Sequence, residues 1–194
     1  MQGFDLVFAM FGLVLGLAVT EVLAGFARVI KMRRKAHVGW LTPLLGLFVL
    51  IDMTTFWNTV YAHREHLHAN LATLLVVLGF VGSYYLISTL IFPDDPDEWP
   101  DFDAWYDRHN RQVLGGVLGL TLALIVVTAI TSAMGLAIKA DTQGGPHGWI
   151  ALVAGLFHIP LLVLLLIVKS RRLNVALLAT EIALMLVAAF AWVI

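Results

Sequence analysis

Residues 39–50 read GWLTPLLGLFVL, and residues 148–159 read GWIALVAGLFHI. Both phrases begin with Gly-Trp, carry Gly-Leu-Phe six residues after the Trp, and open a long apolar run. A phrase that recurs in this way is typical of a chain built from two related units. The sequence therefore predicts a duplicated architecture, with one copy of the phrase in each half of the 194-residue chain.

The composition is that of an integral membrane protein. Hydrophobic residues make up 60% of the chain, charged residues make up 13%, and the mean hydropathy is +0.90. Soluble domains are far less apolar. A helix needs roughly 20 apolar residues to cross a hydrocarbon core about 30 Å thick. We therefore expect an all-α protein in a lipid bilayer, without a nucleic-acid partner, and its six predicted spans are 4–30, 38–62, 70–92, 113–139, 148–168 and 173–194.

Several cofactor classes are excluded by the residues that the chain lacks. There is no cysteine, which rules out disulfides, thiol catalysis and iron–sulfur clusters. Every lysine lies at the end of a predicted span, which argues against a retinal Schiff base. His158 is the one histidine inside a predicted span, so a single chain cannot offer two axial histidines to a buried haem. No cofactor is expected.

The basic residues predict the orientation of the spans. Cytoplasmic loops of membrane proteins carry an excess of Lys and Arg. The opposite side of this chain holds only Arg64 and Lys139. The sequence thus predicts that both termini lie outside, in a plasma or inner membrane, with these nine basic residues in cytoplasmic loops: Lys31, Arg33, Arg34, Lys35, Arg108, Arg111, Lys169, Arg171 and Arg172.

The two units are expected to be inverted relative to each other, because each contains three spans and an odd number reverses the direction of the second unit. The units are residues 1–92 and 113–194, joined by a linker over 93–112. The loop after Lys31 is basic and its counterpart after Lys139 is nearly neutral, as opposite orientations require. The alternative is chance similarity between apolar helices. In architecture only, the arrangement resembles the trimeric intracellular cation channels and some small carriers, without their signatures.

Two pairs of glycines predict close helix packing. The first and fourth spans each carry a GxxxG pattern, a spacing that lets helix backbones approach closely in lipid. The pairs suit packing between the two halves of one chain, or contacts in a homo-oligomer. Their members are Gly12 and Gly16, and Gly115 and Gly119.

Four ionisable residues lie inside predicted spans: Glu21, Asp52, His158 and Glu181. An ionised group in lipid costs on the order of 3 kcal/mol, so such residues need partners or water. At about 1.5 Å of rise per residue, three of the four lie near the midplane, and Asp52 lies somewhat farther out. Pro160 follows His158 closely and would free a backbone carbonyl. We expect a shared polar site, in which Glu21 and Glu181 approach each other or share waters with His158.

Other interpretations of these residues stay open. Each of the four could be a single hydrogen-bonding contact between helices, worth about 0.6 kcal/mol on average, or together they could hold a metal ion. The histidines of the two outer loops match no sharp metal motif and are expected to be solvated surface residues. They are His63, His66, His68 and His147.

The linker is the one long polar segment, reading PDDPDEWPDFDAWYDRHNRQ over residues 93–112. Pro100 followed by acidic residues is a helix-start signal, and the aromatic residues after it recur at helical spacing. We expect a short amphipathic helix at the cytoplasmic interface, anchored by Phe102, Trp105 and Tyr106. A cation sensor or a docking surface for a basic partner is the alternative, although the pattern of an EF-hand loop is missing.

These features lead to two expected functions. The first is a non-enzymatic channel or transporter for protons or small cations that uses the midplane site, where replacing Glu21 or Glu181 by Gln should abolish pH-dependent flux. The second is a non-catalytic scaffold or sensor subunit that binds another membrane protein or lipid through its helices and acidic loop.

Overall fold

The structure, a computed structural model, describes residues 3–32, 38–62, 70–95, 99, 101–133 and 146–190. Five helices, α1, α2, α3, α4 and α6, are long and apolar enough to cross a membrane. In α5 the apolar part with described side chains is Gly155–Ile167, which is shorter. A multi-pass, all-helical architecture is thus confirmed, and the sixth span stays a prediction. The helices are α1 (Gly3–Met32), α2 (Leu41–Ala62), α3 (Leu71–Thr89), α4 (Phe102–Ala133), α5 (Pro146–Ile167) and α6 (Arg171–Phe190).

The surface of the bundle is apolar, as contact with lipid requires. Trp40 is 75% exposed at the start of α2, where an indole suits the membrane–water interface. The interior contains large apolar side chains from most of the helices, among them Phe11, Phe48, Met53 and Leu162. The outward-facing apolar side chains include Leu13, Leu17, Ile30, Leu75, Leu86, Leu122, Ile125, Val126, Leu164 and Val187.

The central helix is α2, which packs against α1, α3, α4 and α6. The most extensive helix pair is α1 with α3. In an inverted repeat the equivalent pair would be α4 with α6, and over the described residues this pair is not among the closely packed ones. The helix pairing therefore does not support the predicted inverted repeat.

The repeated phrase occupies different environments in its two copies. Phe48 is fully buried, whereas its counterpart Phe157 is 53% exposed. A Cβ added to Gly46 would come within 2.8 Å of the Phe92 ring, so this glycine makes room for an aromatic side chain. Around its counterpart Gly155 there is open space. The phrase thus marks two apolar helices, and its Gly-Leu-Phe portion has different surroundings in each of them.

The first turns of α4 hold the ends of three other helices. The Leu41 N–H at the start of α2 donates to Asp103 (3.3 Å), and the Thr42 hydroxyl donates to the Phe102 carbonyl (2.6 Å). The Trp105 indole donates to the Leu90 carbonyl, just after α3 (3.1 Å). These bonds satisfy polar groups that a helix leaves unpaired at its ends. The ends of α2 and α3 are therefore fixed at the same side of the bundle.

Asp107 makes the corresponding contact with α6. Its carboxylate accepts two hydrogen bonds from Arg171, the first residue of α6, at 2.6 and 2.8 Å. Asp101 caps α4 itself, because its side chain accepts from the backbone N–H groups of Asp103 and Ala104 at 2.9 and 3.2 Å. The starts of α2, α4 and α6 thus lie together, and each is held by one acidic residue of the linker.

This arrangement corrects the expectation for the linker. The helix-start signal at Pro100 and Asp101 is followed by a helix, but that helix is the beginning of the 32-residue α4, not a separate interfacial segment. Phe102 and Tyr106 are almost fully buried, so they are core residues and not membrane anchors. The physical reason is that this segment packs against the ends of other helices, which present unpaired polar groups and apolar side chains to it. The periodicity of a single segment does not reveal such contacts.

Candidate functional site

The candidate site is a buried polar cluster in which α2, α3, α4, α5 and α6 each contribute one side chain. Three of the four predicted residues belong to it: Asp52 on α2, His158 on α5 and Glu181 on α6. The exposed fraction is 7% for Asp52, 14% for the His158 side chain and 1% for Glu181. The cluster is therefore shielded from its surroundings, and its members rely on one another for hydrogen bonds.

His158 lies between an acid and a hydroxyl group. Its Nδ1 is hydrogen-bonded to Oε1 of Glu181. Its Nε2 lies 3.3 Å from Oγ1 of Thr121 on α4. The same Thr121 hydroxyl lies 3.0 Å from the Val117 carbonyl, one turn back along its own helix. Both ring nitrogens of His158 thus have an oxygen partner.

This geometry suits both protonation states of the imidazole. When Nε2 carries a proton it donates to Thr121 Oγ1, and the threonine hydrogen goes to the Val117 carbonyl. When Nε2 carries none, the threonine hydroxyl can turn and donate to it. His158 can therefore gain or lose a proton at Nε2 and keep a hydrogen-bond partner there.

Asp52 adds a second carboxyl group. The Tyr84 hydroxyl on α3 donates to Asp52 Oδ2 at 2.7 Å. Asp52 is also close enough to interact electrostatically with His158 and Glu181. With all three groups ionised, the cluster carries two negative charges and one positive charge. In a low-dielectric interior a net charge is costly, and binding one proton would neutralise it.

Tyr84 and Thr121 were missed by the sequence interpretation, which considered only ionisable residues. Both carry hydroxyl groups inside the predicted third and fourth spans, and this is the signal that could have identified them. A search for neutral hydroxyl partners near the depth of the buried acids would have included both residues.

Glu21 does not belong to the cluster. Its carboxylate accepts a hydrogen bond from the Arg28 guanidinium, two turns further along α1, at 3.1 Å. The exposed fraction is 28% for the Glu21 side chain and 29% for Arg28. The helix α1 packs against α3 and α2 rather than against α5 or α6 over the described residues. The expected approach of Glu21 to Glu181 is therefore not seen, because equal depth on two helices does not make them neighbours.

Pro160 does not interrupt α5, which continues as one helix from Pro146 to Ile167. The helix thus continues past the proline, and the freed carbonyl of Leu156, one turn before a residue without a backbone N–H, stays a prediction. Among the residues that the structure describes, no group of three His, Asp or Glu side chains is placed to hold a metal ion. His63, His66 and His68 of the outer loops, and the side chain of His147, lie outside the described part.

The glycine pairs do not pack the two halves of the chain together. A Cβ added to Gly12 would lie 3.2 Å from the Trp57 ring on α2, which belongs to the same half. At Gly16, Gly115 and Gly119 an added Cβ would meet no atom of the described residues within 4 Å. Gly12 and Gly16 instead line an apolar groove of about 240 Å³ between α1 and α2. The groove shares no lining residue with the polar cluster.

No protein-family model, no curated protein and no solved structure matches this chain. The functional interpretation therefore depends on the geometry of the cluster.

Proposed function

We propose that this protein carries protons, or small cations coupled to them, across a membrane through the cluster of Asp52, His158 and Glu181. The observation that carries the proposal is the position of His158 between Glu181 and the Thr121 hydroxyl, with the Asp52 carboxyl nearby. Intramembrane ionisable residues that face the interior of a bundle often mark ion pathways and proton relays. An imidazole that has a partner in both protonation states is suited to such a relay.

The test is a flux assay in liposomes that contain the purified protein and a pH-sensitive dye. A K⁺ gradient with valinomycin drives proton entry, and K⁺ and Na⁺ fluxes are measured in separate liposomes without valinomycin. We expect Glu181→Gln and Asp52→Asn each to reduce proton flux to the level of empty liposomes, because the amides cannot bind the proton. Glu21→Gln is the matched control and should keep the parental flux, since its carboxylate lies outside the cluster.

Parental flux in both the Glu181→Gln and the Asp52→Asn variants would contradict a proton-linked mechanism. A parent protein without flux above that of empty liposomes would favour the second candidate, a non-catalytic membrane scaffold or sensor subunit. That candidate is supported by the nearly complete burial of the cluster, whose bonds join α2 to α3 and α5 to α6. A partner would be sought by cross-linking in native membranes. Loss of the cross-linked product when the outward-facing helix surface is mutated would support the scaffold function.

The orientation of the protein is also a proposal. Lys31, Arg108, Lys169 and Arg172 lie at one end of the bundle, where α1 and α5 end and α4 and α6 begin. By the positive-inside rule this end is cytoplasmic and both termini are outside. Reporter fusions at Met1 and Ile194 test it, and a cytoplasmic signal from either terminus would contradict it.

Association between copies is the last part of the proposal. The open backbone at Gly16, Gly115 and Gly119 would let a helix of a second copy approach closely. Cross-linking in bilayers at increasing dilution of the protein in lipid tests this, and a purely monomeric pattern at all dilutions would exclude it.

A further inference from the structure

The buried face of α6 carries two polar residues on either side of a leucine. Its buried residues are Asn174, Leu178, Glu181 and Ile182, a spacing of four, three and one that places them on one side of the helix. Asn174 is 2% exposed, Leu178 is fully buried, and Glu181 is 1% exposed. This face therefore leads from the first turn of α6, next to Arg171, to the polar cluster.

Each of the two polar residues has one oxygen without a donor among the described residues. The Asn174 amide nitrogen donates to the Val168 carbonyl at 3.3 Å. Because a carbonyl can only accept, this bond fixes the orientation of the amide and leaves Oδ1 without a donor. Glu181 Oε1 is bonded to His158, and Oε2 has no donor. Buried polar groups of this kind are the ones that internal waters bind in proteins.

The two oxygens belong to residues seven positions apart, which is about 10 Å along a helix. One water molecule cannot bridge that distance, and the fully buried Leu178 lies between them. A hydrated metal cation has no room to pass a side chain so completely enclosed. A proton can pass along a short file of waters, because it moves by exchange between hydrogen-bonded neighbours.

We propose that a narrow water path follows the buried face of α6 from Asn174 to Glu181, that it opens at the end held by Asp107 and Arg171, and that Leu178 is its barrier. The proposal rests on the proposed function and narrows it: the species that reaches the cluster from this end is the proton. Asn174 is a positioning residue that holds the first water of the path.

The test uses single cysteines, which the cysteine-free chain allows without background. Asn174→Cys and Ala176→Cys are reconstituted in liposomes and treated with a charged, membrane-impermeant methanethiosulfonate reagent. Ala176 is exposed and lies two residues after Asn174, so it is the control at a depth within about 3 Å on the opposite side of the helix. We expect Asn174→Cys to react at least tenfold faster than Ala176→Cys, because a thiol in a hydrated path ionises and a thiol facing lipid does not.

If both cysteines react equally slowly, the proposed water path is excluded. If Asn174→Cys does not fold, infrared spectroscopy of the unsubstituted protein after transfer to D₂O gives the same information from the Glu181 and His158 bands. We expect the exchangeable hydrogens of both side chains to be replaced by deuterium within seconds. Asn174→Leu should slow this exchange at least tenfold, and Leu178→Ala should accelerate it. Deuteration over hours in the unsubstituted protein would also overturn it.

The outcomes separate this inference from the proposed function. A reactive Asn174→Cys in a protein without proton flux would leave a hydrated path and remove the transport function. Proton flux together with an unreactive Asn174→Cys, and with rapid deuteration of Glu181 and His158 that Asn174→Leu does not slow, would keep the function and exclude this route.

Discussion

Two acidic residues at similar depth, Glu21 and Glu181, show how differently the same bundle treats a carboxylate. Glu21 is bonded to Arg28 on its own helix, and both side chains are between a quarter and a third exposed. Glu181 is bonded to His158 on another helix and is almost fully buried. A pair within one helix forms without help from the fold, whereas a pair between helices depends on packing. The buried pair should therefore couple protonation to helix packing, and the local pair should not.

The largest difference in stability is expected when Glu181 is replaced by Leu. The change leaves a buried imidazole without its acidic partner, and breaking a buried charge pair in this way costs about 3 kcal/mol. The double variant with His158→Leu should recover most of the loss, because two packed apolar side chains replace the pair. Unfolding in mixed detergent micelles measures both values. A single-variant loss as small as that of Glu21→Leu would remove the distinction between the two sites.

The second prediction concerns the bond between Asp52 and Tyr84. Tyr84→Phe removes the hydroxyl that donates to Asp52 at 2.7 Å, and we expect a loss of about 1.5 kcal/mol, the lower range for bonds to charged groups. Tyr85→Phe is the matched control, since Tyr85 is 39% exposed on the same helix. The same micelle unfolding assay compares them. Equal effects of the two changes would show that the Asp52 side of the cluster is not tightly coupled.

The third prediction tests the role of Thr121. Thr121→Val keeps the shape of the side chain and removes the partner of His158 Nε2, so we expect a stability loss of about 1 kcal/mol and an altered pH profile of proton flux. Thr121→Ser should restore the parental profile. Thr128→Val is the control, because among the described residues the Thr128 hydroxyl bonds to backbone carbonyls of α4 and to no other side chain. A parental pH profile in Thr121→Val would mean that Nε2 is not the atom that exchanges the proton.

The smallest effect is expected at the local pair. Glu21→Gln keeps the volume and one acceptor for Arg28, and a partly exposed ion pair within one helix is worth about 0.5 kcal/mol. We expect a stability change no larger than that, without any change in the pH profile of flux. A loss of flux in this variant alone would place the pathway along α1 and would contradict the cluster.

The helix positions could be predicted because each depends on one segment at a time. The apolar runs gave starts within a few residues for five helices, and the cap at Asp101 was signalled by the residues around it. Helix rise placed Glu21, His158 and Glu181 at one level. The same arithmetic could not show that α1 lies apart from α5 and α6, since rise measures depth and says nothing about neighbours.

The sequence alone determined that this is an apolar, multi-pass helical protein, because composition and run length control transfer into a membrane. It also determined which ionisable residues would need partners there. The identity of the partners became known from the packing of the helices: Arg28 for Glu21, His158 for Glu181, Tyr84 for Asp52, and helix starts for the acidic residues of the linker. The reason is physical. The cost of burying a charge is a property of the residue, but its compensation depends on which helix faces are packed together, and that is settled by the whole bundle.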